Sequence, residues 1–191
     1  MGPHFDDLLD NQTRRRMLIL RHSQHGVTLI ELMIAIVIFG ILLAMGVPAY
    51  SGWVQNQQIR TAAESILNGI QLTRAEAVRQ NTNVQFSLTA LPMSDWQVSV
   101  ASTAAVIQTR SSQEGSANAR VATLPAGATT VTFNGLGRAT TNLDSSAPLT
   151  EADITSTAAS ATRQLNILVS GGMVHMCDPA LPATNPQSCS F

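Results

Sequence analysis

The chain has 191 residues, of which 12% are charged and 4% aromatic, and its formal net charge is -1. That length suits one domain of ordinary size plus an appendage, and the near-neutral balance excludes a partner recruited by bulk charge. Apart from His, every basic side chain is Arg, a mark of base composition rather than of function.

Residues 1–26 carry Asp6, Asp7 and Asp10, then Arg14, Arg15, Arg16 and Arg21. Met17 offers an internal start, giving MLILRHSQHG ahead of Val27. Val27 to Val47 is a run of twenty-one residues in which only Thr28 and Glu31 are polar. As a helix rising about 1.5 Å per residue it spans roughly 31 Å, matching a hydrocarbon core of roughly 30 Å. The arginines on its N-terminal flank predict that the N-terminus stays in the cytoplasm while the rest crosses. A cleaved secretory signal has a shorter apolar region and a small-x-small cut site. A plain signal anchor explains the length and the arginines. It gives no reason for Glu31, since an acid at the centre of a lipid-exposed helix costs about 2.5–3.5 kcal/mol and still costs something nearer the interface.

Helix signals continue beyond Pro48, which lacks an amide donor and is expected to kink the helix. Ile59, Ala62, Ala63, Ile66, Leu67, Ile70 and Ala77 recur at three- and four-residue steps as one apolar stripe. Arg60, Glu64, Arg74 and Arg79 fall on or near the polar face, and Asn81-Thr82-Asn83 is the predicted stop. The period then changes to two. Val84, Phe86 and Leu88 alternate with polar residues, as do Trp96, Val98 and Val100, with a turn over 91–95 between them. Further strands are predicted at 106–110, 121–124 and 129–133. The segment 134–138 reads as a hairpin turn, and 167–170 with 173–176 as a closing hairpin around Gly171-Gly172. The Ser-, Thr- and Ala-rich stretches 111–119 and 145–161 read as poorly ordered loops. The expected fold is therefore α+β: a long N-terminal helix, half transmembrane and half amphipathic, packed on a mostly antiparallel sheet.

Catalytic signals are weak. His4, His22 and His25 precede Val27, leaving His175 as the one later histidine. Ser170, His175 and Asp178 are close in sequence but lack a G-x-S-x-G elbow, so His175 reads as a solvent-facing strand residue. Cys177 and Cys189, with one His and one Asp nearby, make a poor metal set. Gly135-Leu136-Gly137-Arg138 lacks the lysine and the following helix of a phosphate loop. No catalytic residue, metal ligand or cofactor is expected.

Gly26 followed by Val27-Thr28-Leu29-Ile30-Glu31 and an apolar run resembles the class III signal of type IV pilins and type II secretion pseudopilins. The resemblance implies that a prepilin peptidase cuts after Gly26 and methylates the new amine of Val27. Glu31 then matches the family's fifth mature glutamate, and Pro48 its frequent proline at mature position twenty-two. Val27 stands where the family usually has Phe or Met, and a leader of 1–26 is long for the class. The order of helix, strands, FNGLGR at 133–138 and a Cys-closed tail resembles the GspH/FimT family of minor pilins and pseudopilins, over essentially the whole mature chain. The implied divisions are a leader (1–26), a transmembrane half-helix (27–47), an amphipathic half-helix (48–80) and a β-rich periplasmic head (81–191). The implied role is non-enzymatic: to prime or cap a type IV pilus or a secretion pseudopilus. Its partners would be other minor subunits, the major subunit, the prepilin peptidase and inner-membrane lipid. In the periplasm Cys177 and Cys189 would be oxidised to each other, and closing that loop stabilises by about 3 kcal/mol. The tail then serves as a structural staple or as a rigid contact surface.

Two rivals remain. One is a periplasmic enzyme on a signal anchor. The other is a DNA receptor for uptake, since DNA-binding relatives share a G-R-x-R motif before the first tail cysteine. Here the matching residues are Gly172-Met173-Val174-His175, with neither arginine. Beyond Gly26 the chain keeps seven arginines, of which Arg138 and Arg163 are the pair that folding could bring to one face, against nine acids. DNA binding is therefore expected to be weak or absent.

Overall fold

Residues 26–158 and 163–189 are described by the computed structural model. The chain divides into two compact units, Met1–Leu42 and Leu43–Phe191. Predictions that fall on residues 1–25 lie outside the described residues.

A single helix, α1 (Leu29–Gln80), begins in the first unit. Thr28 caps it: the Leu32 amide donates to the Thr28 carbonyl at 3.1 Å and the Glu31 amide to Thr28 Oγ1 at 3.2 Å. Thr-x-x-Glu is the order of a capping box, and the Thr28 hydroxyl makes its half of it. The helix assignment continues through Pro48. It ends at the predicted place, and the residues there explain why. Asn81 adopts φ of 48°, its amide donates to Val78 O at 3.3 Å, and the Thr82 amide reaches back to Ala77 O at 3.2 Å. This is a Schellman closure with Asn in the left-handed position.

The second unit contains nine strands among its described residues, in two antiparallel sheets rather than the one expected. The first sheet orders β3 (Val106–Arg110), β2 (Trp96–Val100), β1 (Val84–Leu88), β5 (Thr130–Phe133) and β6 (Ala139–Thr140). The second orders β4 (Ala119–Leu124), β7 (Glu151–Ser156), β8 (Leu165–Ser170) and β9 (Met173–Cys177). Period-two alternation turns Val84, Phe86, Trp96, Val98, Val131 and Phe133 inward from the first sheet. Val121, Ile154, Leu165 and Ile167 turn inward from the second, and the α1 stripe joins both inner faces in one core.

Several expectations change. Leu67 is only half-buried, and Thr73 is fully buried instead, with its hydroxyl donating to Gly69 O at 2.7 Å. The 145–161 stretch was expected to be a loop, yet it holds β7, which is central in its sheet. Only Ala152 and Ile154 point inward from β7, one of them small, so the alternation is too short to stand out in sequence. The 111–119 stretch is irregular but held in place. Asp95 Oδ1 accepts from the Ser112 amide at 3.2 Å and the Ser111 hydroxyl at 3.3 Å, while Ser94 and Ser116 hydroxyls meet at 2.9 Å. Burial pushes the Asp95 carboxyl up, but these donors outweigh it and hold it below its ordinary value.

The core leaves no room for a side chain where Gly69 faces two aromatics. Phe86 and Trp96 lie with ring centroids 5.7 Å apart, and Trp96 Nε1 donates to Ser65 Oγ on α1 at 2.8 Å. A Cβ at Gly69 would sit 2.8 Å from Phe86 Cε2 and 3.1 Å from Trp96 Cε2. Gly69→Leu is therefore expected to destabilise the fold by about 1–3 kcal/mol through overpacking, despite the better helix propensity of Leu. Urea unfolding of the full chain in detergent, followed by tryptophan fluorescence, measures it. An unchanged midpoint would contradict the packing.

Candidate assembly surface

Every residue from Gly26 to Val47 is exposed, including Leu29 at 79%, Phe39 at 63% and Met45 at 75%. This part of α1 is long and apolar enough to cross a membrane. An uncovered apolar surface of this size marks a candidate contact with lipid or with other apolar surfaces. Pro48, a sequence-predicted site residue, lies on α1 just beyond it. Gly26 and Val27 precede the Thr28 cap, so the predicted cut would leave a free amine one residue before the cap and two before the helix start at Leu29. Glu31 falls in the first turn, where the exposed amides favour negative charge. Thr28 is the capping residue that sequence reasoning passed over. Its signal was legible as Thr-x-x-Glu ahead of an apolar run.

Cys177 and Cys189 are bonded, with their Cα atoms 5.0 Å apart. Within the loop the Asp178 amide donates to Gln187 O at 2.8 Å, and Asp178 Oδ1 accepts from the Ala180 amide at 3.0 Å. Arg163 Nε lies 3.5 Å from Asp178 Oδ2. Asp178 therefore organises the tail and Arg163, which leaves it poorly suited to a Ser170–His175–Asp178 relay. His175 in β9 is half-buried rather than open to solvent, and it lies on the sheet face opposite Val174 and Met176, the β9 residues that pack against the core.

Most arginines beyond Gly26 are committed locally. Arg60 pairs with Glu64 at 2.7 Å, Arg79 with Glu76 at 2.6 Å, and Arg110 with Glu114 at 3.7 Å. Arg120 donates to the Ala117 and Ala119 carbonyls at 3.0 and 2.9 Å, and Arg74 Nε to Gly137 O at 3.1 Å. Arg138 and Arg163, the pair that folding could have gathered, stand at opposite ends of β9. Arg138 is beside Gly172, and Arg163 is on Asp178. Among the described residues, no group of three or more His, Cys, Asp and Glu is placed to hold a metal.

One acidic pair stands out on the outer face of the second sheet. Burial pushes the Asp153 carboxyl up, and the neighbouring Glu151 charge and a hydrogen bond with Glu151 push it the same way. Glu151 Oε1 also accepts from Asn166 Nδ2 at 2.7 Å. A raised carboxyl favours the protonated folded state. Its contribution to stability is complete below the ordinary carboxylate pKa and is lost as pH rises through the folded value. Asp153→Asn is thus expected to raise the thermal midpoint at neutral pH and to leave a smaller difference from wild type near pH ~4. Thermal unfolding at both pH values checks the sign, and a lower midpoint for the variant at neutral pH would contradict it.

Compared with known proteins, the family profile for the prokaryotic N-terminal methylation motif matches residues 21–47. The profile described as type II transport protein GspH matches residues 62–172. Among solved structures, the type IV minor pilin FimU of Pseudomonas aeruginosa aligns at TM-score 0.46 and 19% identity, over 69% of this chain and 99% of that one. A second crystal form of FimU aligns at TM-score 0.46 and 18% identity, over 72% of this chain and 99% of that one. No curated protein matches significantly. With the GspH profile covering more than half of its residues, behind an N-terminal methylation motif, the chain belongs to the GspH family of type II transport proteins.

Proposed function

We propose that this chain is a non-enzymatic minor pilin or pseudopilin that primes or caps a short helical filament built from the inner membrane. Before assembly it is a single-pass protein with a periplasmic head. The observation that carries the reading is the start of α1, where Thr28 caps a helix whose residues through Val47 are all exposed and nearly all apolar, and Glu31 occupies its first turn. Prepilin peptidase cuts after Gly26 and leaves a methylated amine on Val27. In the filament a neighbouring subunit's amine meets Glu31, so that the acid's cost in an apolar setting is removed only by correct register. Pro48 relaxes the helix between its lipid half and its head half. The head supplies the specific contacts to other minor subunits and to the major subunit.

Of the rivals, a DNA receptor needs a row of free cations, and most of the arginines already have local partners. An anchored enzyme needs a convergent acid–base or nucleophile set, which the placement of Asp178 does not favour. Deleting the gene in its native host and scoring surface pili and exported proteins tests the proposal. Loss of one of these, restored by the wild-type chain, is expected. Unchanged piliation and secretion, or loss of DNA uptake alone, would contradict it.

A further inference from the structure

A groove on the second unit runs between α1 and β9. It encloses about 590 Å³ and is lined by Gln71, Arg74, Ala75, Val78, Arg79 and the β9 side at Gly172 and Val174. Its α1 wall is not the core stripe but the adjacent face, at steps 71, 74, 75 and 78. Its other wall is an edge strand, because β9 is last in the order β4-β7-β8-β9. An edge strand leaves alternate amides and carbonyls along its outer side without a ladder partner.

Two glycines keep the groove's end in shape. Gly172 has φ of 117°, and a Cβ there would lie 2.9 Å from Gly137 O, so the β8–β9 turn closes directly onto the β5–β6 turn. Gly137 in turn sits against α1, where a Cβ would meet Val78 Cγ2 at 3.1 Å. Three exposed apolar side chains belong to these stacked elements: Val78 in the groove lining at 52%, and, adjacent in sequence to Gly137 and Gly172, Leu136 at 79% and Met173 at 72%. Charge sets the remaining chemistry. Among the described residues neither Arg74 nor Arg138 has a carboxylate partner, and Arg138 is exposed beside Gly172.

We propose that this groove takes an extended, acid-bearing segment of a partner protein as an added strand on β9. The open strand edge supplies backbone pairing, the apolar residues take alternate side chains, and Arg74 with Arg138 pair with the segment's carboxylates. Two guanidiniums beside an apolar wall suit a peptide better than a phosphate backbone, which calls for a longer row of cations. The idea deepens the assembly reading by naming the chemistry of one contact, but its test is independent of processing after Gly26.

The test uses the full chain in detergent micelles, with methyl NMR read at Met173, Val174, Met176 and Val78. The probes are three synthetic pentapeptides: one alternating valine with aspartate and glutamate, its lysine counterpart, and the acidic peptide N-methylated at alternate amides. The acidic peptide is expected to shift those methyls and to bind at least about tenfold more tightly than either control. Arg74→Glu, which leaves Arg138 opposed by a carboxylate, should abolish the preference for the acidic peptide while leaving the tryptophan fluorescence of the folded chain unchanged. Equal binding of acidic and lysine peptides, or no binding of any, would overturn the proposal, as would binding that survives N-methylation. A short DNA duplex that displaces the acidic peptide and shifts the same methyls would assign the groove to nucleic acid instead. Failure of peptide binding leaves the filament role intact, and failure of processing leaves peptide binding intact, so the two outcomes are read separately.

Discussion

Glu31→Leu is expected to leave membrane insertion intact and to abolish entry into filaments. Replacing an acid by leucine in an otherwise apolar helix makes insertion easier, so anchoring gives no reason for a defect. A defect arises only if the carboxylate is needed by something outside the chain. The geometry adds a sharper comparison, because Thr28 and Glu31 also stand in capping-box order. Glutamine serves at the third position of such a box nearly as well as glutamate. If Glu31 acted only as a helix cap, Glu31→Gln would assemble normally. If it pairs with a neighbouring subunit's amine, the neutral amide loses the ionic partner, and Glu31→Gln fails along with Glu31→Leu. Immunoblots of sheared filaments against membrane fractions separate the cases. Both variants in the membrane fraction and neither in filaments is the expected result, and full assembly of Glu31→Leu would leave a plain anchor.

Cys177→Ser is expected to cost about 3 kcal/mol of stability in an oxidising compartment, from the chain entropy of the loop to Cys189. The loop's two ends are also joined by the Asp178–Gln187 backbone bond, and Cys177 is buried at 3% exposure. The effect should appear as a lower urea midpoint for the variant, and reduction of the wild-type chain should reproduce it. Non-reducing peptide mapping should link Cys177 to Cys189. Free thiols at both positions, or a variant that unfolds at the wild-type midpoint, would contradict the staple.

The elements that were legible in sequence are those whose side chains carry a strong period. The α1 stripe from Ile59 to Ala77 alternates at helical steps, and Val84–Leu88 and Trp96–Val100 alternate at two. Each is long enough for burial to leave a pattern. The strand β7 was missed because its inward residues are only Ala152 and Ile154. Its place at the centre of a sheet is decided by β4 and β8, which are distant in sequence. The split into two sheets was missed for the same reason: periodicity gives the face of a strand but not its neighbours. At the candidate assembly surface Gly26 and Glu31 were singled out by their resemblance to the class III signal, whereas the groove at β9 carried no such signal. It exists only because Gly172 and Gly137 bring two turns onto one helix end, a contact no local pattern encodes.

The measurement that bears most directly on the central claim is the intact mass and N-terminal sequence of the protein from cells with an active prepilin peptidase. A mature chain beginning at N-methylated Val27 is predicted, with an uncut chain in cells lacking the peptidase and for Gly26→Trp. A start at any other residue, or an intact leader in the presence of the active enzyme, would contradict the assignment of this chain as a processed filament subunit.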